Sequence, residues 1–165
     1  MMKALEAQIF RIKSKKDFKQ TALDVFKYQY KANPVYQKFC QHFISHPSQV
    51  NQLQDIPFLP IELFKNHRIN TQSSFEKVFL SSGTTGQKQS EHYVYSLELY
   101  QKSYLSSFNY FYGNPEDYII LALLPSYLER ECSSLIYMVN DLILRSKHHK
   151  SGFYLDNLDE LAATL

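Results

Sequence analysis

The residues best suited to chemistry form the stretch Phe79-Leu80-Ser81-Ser82-Gly83-Thr84-Thr85-Gly86-Gln87-Lys88, where a hydrophobic run breaks into hydroxyls and glycines. Of the four glycines in the chain, Gly83 and Gly86 stand three apart here, which marks a backbone that needs unusual conformational freedom. Small residues let successive N–H groups turn toward one point. The hydroxyls of Ser81, Ser82, Thr84 and Thr85 add donors with little bulk, and together these features make a concavity for anions. Phosphate binding is the chemistry indicated. A Ser/Thr/Gly run after a strand also describes an ordinary turn. Spacing excludes the two commonest nucleotide loops, because neither G-x-x-x-x-G-K-[ST] nor G-x-G-x-x-G can be laid over Gly83, Gly86 and Lys88.

A second candidate is Ser126-Tyr127-Leu128-Glu129-Arg130, directly after an apolar run and Pro125. Loops beyond the C-terminal ends of parallel strands are where open α/β sheets place ligands. Ser126, Tyr127, Glu129 and Arg130 can therefore shape or charge a substrate pocket. A Glu-Arg pair at a helix start is equally an exposed cap with an ion pair. His42 and His46 have metal-ligand spacing on a helix, but no carboxylate or thiolate is placed to complete a set, so no metal is expected there. The basic run Arg145 to Lys150 suits a solvated helix C-terminus. Cys40 and Cys132 are too few for a disulfide framework and read as reduced thiols, Cys132 packing at the start of a helix.

The elements that must position these groups follow from periodicity. Ser14 caps a predicted helix from Lys15 to about Lys31, with Phe18, Ala22, Val25 and Phe26 at helical spacing. Pro34 opens a second helix that reaches about Ser45. Ile56 to Lys65, with Pro57 and Pro60, reads as an extended connector running into a short helix. Val78 to Leu80 is a short buried strand ending at the hydroxyl-glycine loop. His92 to Tyr95 has β-propensity. Ser96 then caps a helix to about Tyr112 that Gly113 stops. Tyr118 to Leu124 is continuously apolar and predicts a central parallel strand covered on both faces. A helix from about Cys132 to Ser146, a short strand at Phe153 to Leu155 and a last helix from Asp156 or Asn157 complete the order. The alternation predicts one α/β domain over residues 1–165, a mostly parallel sheet flanked by helices. Residues about 14–55 form an N-terminal helical layer, and about 56–165 the region of sheet and phosphate loop.

Composition narrows the function classes. The formal net charge of +2, with cations scattered among acids, gives no field that argues for nucleic acid. No run reaches membrane-spanning length, the first residues lack the apolar segment of a secretory signal, and a cytoplasmic location is expected. Thirteen Tyr and twelve Phe with no Trp supply large packing area together with many phenolic hydroxyls that need partners.

The run from Ser81 to Gly86 resembles the phosphate loop of the adenylate-forming superfamily, which reads approximately [ST]-[SG]-G-[ST]-[ST]-G-x-P-K. Here the family's proline position is Lys88 and its lysine position is Gln89. Ile56-Pro57-Phe58-Leu59-Pro60-Ile61-Glu62-Leu63-Phe64-Lys65 and Leu124-Pro125-Ser126-Tyr127-Leu128-Glu129-Arg130 are similar, in the same order, to elements of the LuxE acyl-protein synthetase branch. The resemblance implies an N-terminal portion of the adenylate-forming fold. It implies ATP and Mg²⁺ as cofactors, and activation of a fatty or other carboxylic acid to an acyl-adenylate. It also implies transfer of the acyl group to a thiol on a protein or coenzyme A. Residues for adenine, ribose and Mg²⁺, the lid lysine and the acyl-carrying cysteine come later in that family. The chain is accordingly expected to be part of a longer enzyme, inactive alone and prone to self-association through surface meant for a missing half. The alternative is a non-catalytic binding or assembly module that retains a turn resembling the phosphate loop.

Overall fold

The computed structural model describes residues 2–81, 89–125 and 131–165. In chain order, helices α1 (Met2–Ile9), α2 (Lys15–Ala32), α3 (Pro34–Cys40) and α4 (Leu63–Asn66) precede strands β1 (Lys77–Leu80) and β2 (Glu91–Val94). Then come α5 (Leu97–Phe111), β3 (Leu121–Ala122), α6 (Ser134–Arg145), β4 (Gly152–Phe153) and α7 (Leu158–Thr164). The fold is mixed α/β with helices predominating, and the described strands make up two two-stranded sheets. No described helix is long and apolar enough to cross a membrane. Residues segregate into two compact units, Met1–Glu76 with Ser90–Tyr95 and Lys77–Gln89 with Ser96–Leu165.

The first unit is built on α2. The Ser14 hydroxyl accepts the Asp17 N–H at 3.1 Å and fixes the start of the helix. Its end is shared with the next helix: the Asn33 N–H donates to the Gln29 carbonyl at 2.9 Å while its side-chain oxygen accepts the Tyr36 N–H at 3.1 Å. One buried residue thus closes α2 and opens α3, and Pro34 follows in the first turn of α3, where no N–H is needed. Leu23, Phe26, Tyr36, Cys40 and Val50 form the core, with Ile56 and Leu59 packed against it. The expected helix to Ser45 ends instead at Cys40. Beyond it the Phe43 and Ile44 N–H groups both return to the Cys40 carbonyl, which tightens the chain into a turn that sends Ile44 back onto the core. His42 and His46 therefore lie past the helix, and the His46 ring accepts the Ser48 N–H as a cap on the turn Pro47–Gln49.

The second unit carries a parallel pair, Leu121 opposite Gly152 and Ala122 opposite Phe153, with α6 in the crossover. The expected strand from Tyr118 to Leu124 pairs over two residues only, and Ile119 and Leu123 are exposed. The extended parallel sheet expected from its apolar run is not present among the described residues. Hydroxyls take up the backbone groups at its start: the Ile120 N–H donates to Ser151 Oγ at 3.0 Å and Ser146 Oγ donates to the Tyr118 carbonyl at 2.7 Å. Helix α5 begins at the Ser96 cap, which accepts the Leu99 N–H at 3.1 Å, and ends at Gly113, whose φ of 89° lies in the left-handed region. Replacing Ser96 by alanine lowers stability by about 1 kcal/mol, read from a urea denaturation midpoint. The helix α1 was not anticipated.

Candidate functional site

Strand β1 delivers the chain to the predicted phosphate loop. The Phe79 ring is buried against Tyr100 and Tyr137, with centroids 5.3 and 5.6 Å away. This packing fixes the strand from one side. The Leu80 N–H then donates to the Cys132 carbonyl at 2.8 Å. Ser81 follows, exposed at the end of the strand. Of the predicted site residues only Ser81 is described. Ser82, Gly83, Thr84, Thr85, Gly86 and Lys88, and with them Ser126, Tyr127, Glu129 and Arg130, lie outside the described residues.

What the structure does show is how the two stretches are anchored. Leu80 stands two residues before Ser82 and Cys132 two residues after Arg130. The Leu80–Cys132 bond therefore joins the chain just before the first stretch to the chain just after the second. Cys132 itself is exposed. The packing role expected for it is replaced by a backbone one, and α6 begins two residues later with Ser133 Oγ accepting the Ile136 N–H at 3.4 Å.

Under this anchor lies a bed of tyrosines with fully assigned hydroxyls. Tyr100 Oη donates to the Ser134 carbonyl at 3.0 Å, and Gln101 Nε2 donates to Tyr137 Oη at 3.1 Å. Tyr104 Oη donates to Asp141 Oδ2 at 2.7 Å, and the same carboxylate oxygen accepts Arg145 Nε at 2.6 Å. Burial pushes the Tyr104 phenol well above its usual range, and the neighbouring Asp141 carboxylate pushes it further. Burial likewise raises the Tyr100 phenol. Both remain protonated donors at neutral pH and act as a rigid, hydrogen-bonded platform, not as acid or base. The chain of contacts was missed because Tyr104 reads as one more apolar-face residue of α5. The signal was Asp141 and Arg145, four apart near the end of an otherwise apolar helix.

Tyr104→Phe removes one donor from a carboxylate that keeps its arginine partner. It lowers stability by about 1.5–3 kcal/mol, the range for a hydrogen bond to a charged group. A double-mutant cycle with Arg145→Gln should show coupling, because both groups share one oxygen.

Comparison with known proteins gives one result. A family model described as Acyl-protein synthetase, LuxE, matches residues 6–102. That span takes in both the Ile56 to Lys65 element, whose Pro57 carbonyl accepts Tyr36 Oη at 2.7 Å, and the Ser81 to Gly86 run. Searches of the curated proteins and of the solved structures found no match.

Proposed function

The chain belongs to the LuxE acyl-protein synthetase family, and on that premise we propose that it serves ATP-dependent activation of a fatty acid followed by acyl transfer to a thiol. A carboxylate oxygen forms a bond to the α-phosphorus of ATP, and the bond from that phosphorus to the bridging oxygen breaks. Pyrophosphate leaves and an acyl-adenylate remains. A thiolate sulfur of a protein or of coenzyme A then bonds to the acyl carbon and AMP leaves. Joining two anions is the obstacle, so the triphosphate must be neutralised and held in line. The hydroxyl and N–H donors from Ser81 to Gly86 have the chemistry for this, with Thr84 and Thr85 as the main side-chain donors on the departing phosphates. Lys88 adds a cation. Mg²⁺, when bound, would supply neutralisation of the triphosphate charge, and the residue that holds it comes later in that family. Ser126, Tyr127, Glu129 and Arg130 are proposed to border the carboxylic acid. The adenylate-forming fold, with its larger parallel sheet, is part of the same proposal.

The observation that carries this reading is the family match across residues 6–102, which contains the loop with the complete S-S-G-T-T-G pattern. The test is exchange of labelled pyrophosphate into ATP, with a panel of straight-chain acids, by the product of the longest open reading frame that contains this chain. Acid-dependent exchange is expected, and its absence for every acid would sink the enzymatic reading. The strongly exposed rings of Tyr110, Phe111 and Tyr112 favour a second reading, an assembly module that pairs with another subunit or with itself. Light scattering that shows a concentration-independent monomer removes the self-pairing form of it.

A further inference from the structure

We infer that the first unit carries a binding site for a small phosphate monoester, in the pocket lined by α3, the turn after it and the end of α4. The site goes beyond the acyl-activation reading and does not depend on it. The pocket has a volume of about 320 Å³, at the small end of the span of small-molecule sites. Its apolar walls include Val35, Phe39 and Leu63. Phe39 also packs against the core of the unit, and its ring centroid lies 5.1 Å from that of Phe43, so this wall is preformed. Lys38, His42 and His67 supply the titratable groups of the pocket, and no Asp or Glu lines it. The charged residues Glu62 and Lys65, next to and within α4, are exposed and stand outside the lining.

Local structure brings the three side chains together. Lys38 and His42 are four apart, and in the turn that ends α3 the His42 N–H donates to the Phe39 carbonyl at 3.2 Å. His67 closes α4, its N–H donating to the Leu63 carbonyl at 2.9 Å. His46, the other half of the pair with metal-ligand spacing, is occupied by the cap of its own turn. The side chains of Lys38, His42 and His67 have no hydrogen bond or ion pair among the described residues. An ammonium repels a metal ion and has no lone pair to offer it, and among the described residues no group of His, Cys, Asp and Glu makes a metal set. The trio suits an anion instead. A carboxylate brings one charge and two oxygens. A phosphate monoester brings nearly two charges and three terminal oxygens, one for each of the three side chains. The apolar walls then cover the group that the phosphate esterifies.

Titration calorimetry of the full chain at neutral pH tests the site with phenyl phosphate as the probe. One molecule should bind per chain, about tenfold or more tightly than inorganic phosphate, which makes no use of the walls. Benzoate keeps the ring with about half the charge, and it should also bind about tenfold more weakly. His42→Gln with His67→Gln, both at exposed positions, should weaken phenyl phosphate by at least about tenfold, the loss expected for one hydrogen bond to a charged group. Val35→Trp fills the pocket and should abolish binding in a folded protein. Undiminished binding in the histidine pair, or benzoate bound as tightly as phenyl phosphate, overturns the inference. Loss of binding in Thr84→Val with Thr85→Val would move the ligand to the hydroxyl-glycine loop and overturn it equally. So would sedimentation with phosphatidic acid vesicles in place of stoichiometric binding of phenyl phosphate. If Val35→Trp does not fold, the histidine pair and the comparison of the three probes still decide.

Discussion

In the product of the longest open reading frame that contains this chain, replacing Thr84 and Thr85 together by valine lowers acid-dependent pyrophosphate–ATP exchange by on the order of a hundredfold or more. Valine keeps the shape of threonine and removes its hydroxyl, so the change isolates hydrogen-bond donation. A preorganised donor aimed at charge that develops during reaction is worth roughly 10²–10³ in rate. The leaving pyrophosphate gains charge as the bond to the α-phosphorus breaks, which is where these donors would act. Loss in kcat with little change in KM for ATP is expected if the contact strengthens in the transition state. A turn without a phosphate role would leave exchange at its original rate, and that result would remove both threonines from the site.

Phe26→Ala destabilises the first unit by about 3–5 kcal/mol, enough to consume much of a typical domain's stability. Phe26 is only 2% exposed. Its ring meets Tyr36 edge-on at 6.3 Å and Tyr30 at 5.9 Å. Truncation therefore removes contacts between α2 and α3 and leaves a cavity in the cluster that also receives Ile56 and Leu59. Phe18→Ala on the same helix supplies the contrast, since its ring is half exposed and its loss should cost within about 0.5 kcal/mol. Urea denaturation of the two variants reads the difference directly. Equal costs would mean that the core is not where the burial pattern places it.

The helix boundaries at Ser14, Asn33-Pro34, Ser96 and Gly113 were legible because capping is local: each is decided by a side chain and N–H groups two or three residues away. The Tyr118 to Leu124 strand was legible only as an apolar run. Its length is set by the partner Gly152–Phe153, some thirty residues on, and by the Ser146 and Ser151 hydroxyls that take its first backbone groups. The same holds for α3, whose end at Cys40 depends on where Ile44 must return. At the candidate site, the Ile56 to Lys65 element together with the Ser81 to Gly86 run pointed to the family whose model matches residues 6–102. The Leu80–Cys132 bond and the Tyr104–Asp141 bond were not legible. Each joins residues from separate elements, and no local pattern records such pairings.

The bond from Leu80 to Cys132 also has a consequence for biosynthesis. At ordinary elongation rates, roughly 3 to 10 s pass between the appearance of Leu80 and that of its acceptor carbonyl. Throughout that interval Phe79 also lacks Tyr137, one of the two rings it packs against. The nascent chain therefore presents an unsatisfied strand end and an uncovered aromatic side chain while still attached to the ribosome. Pauses in translation between codons 80 and 137 should lengthen this exposure and raise the share of chain lost to aggregation.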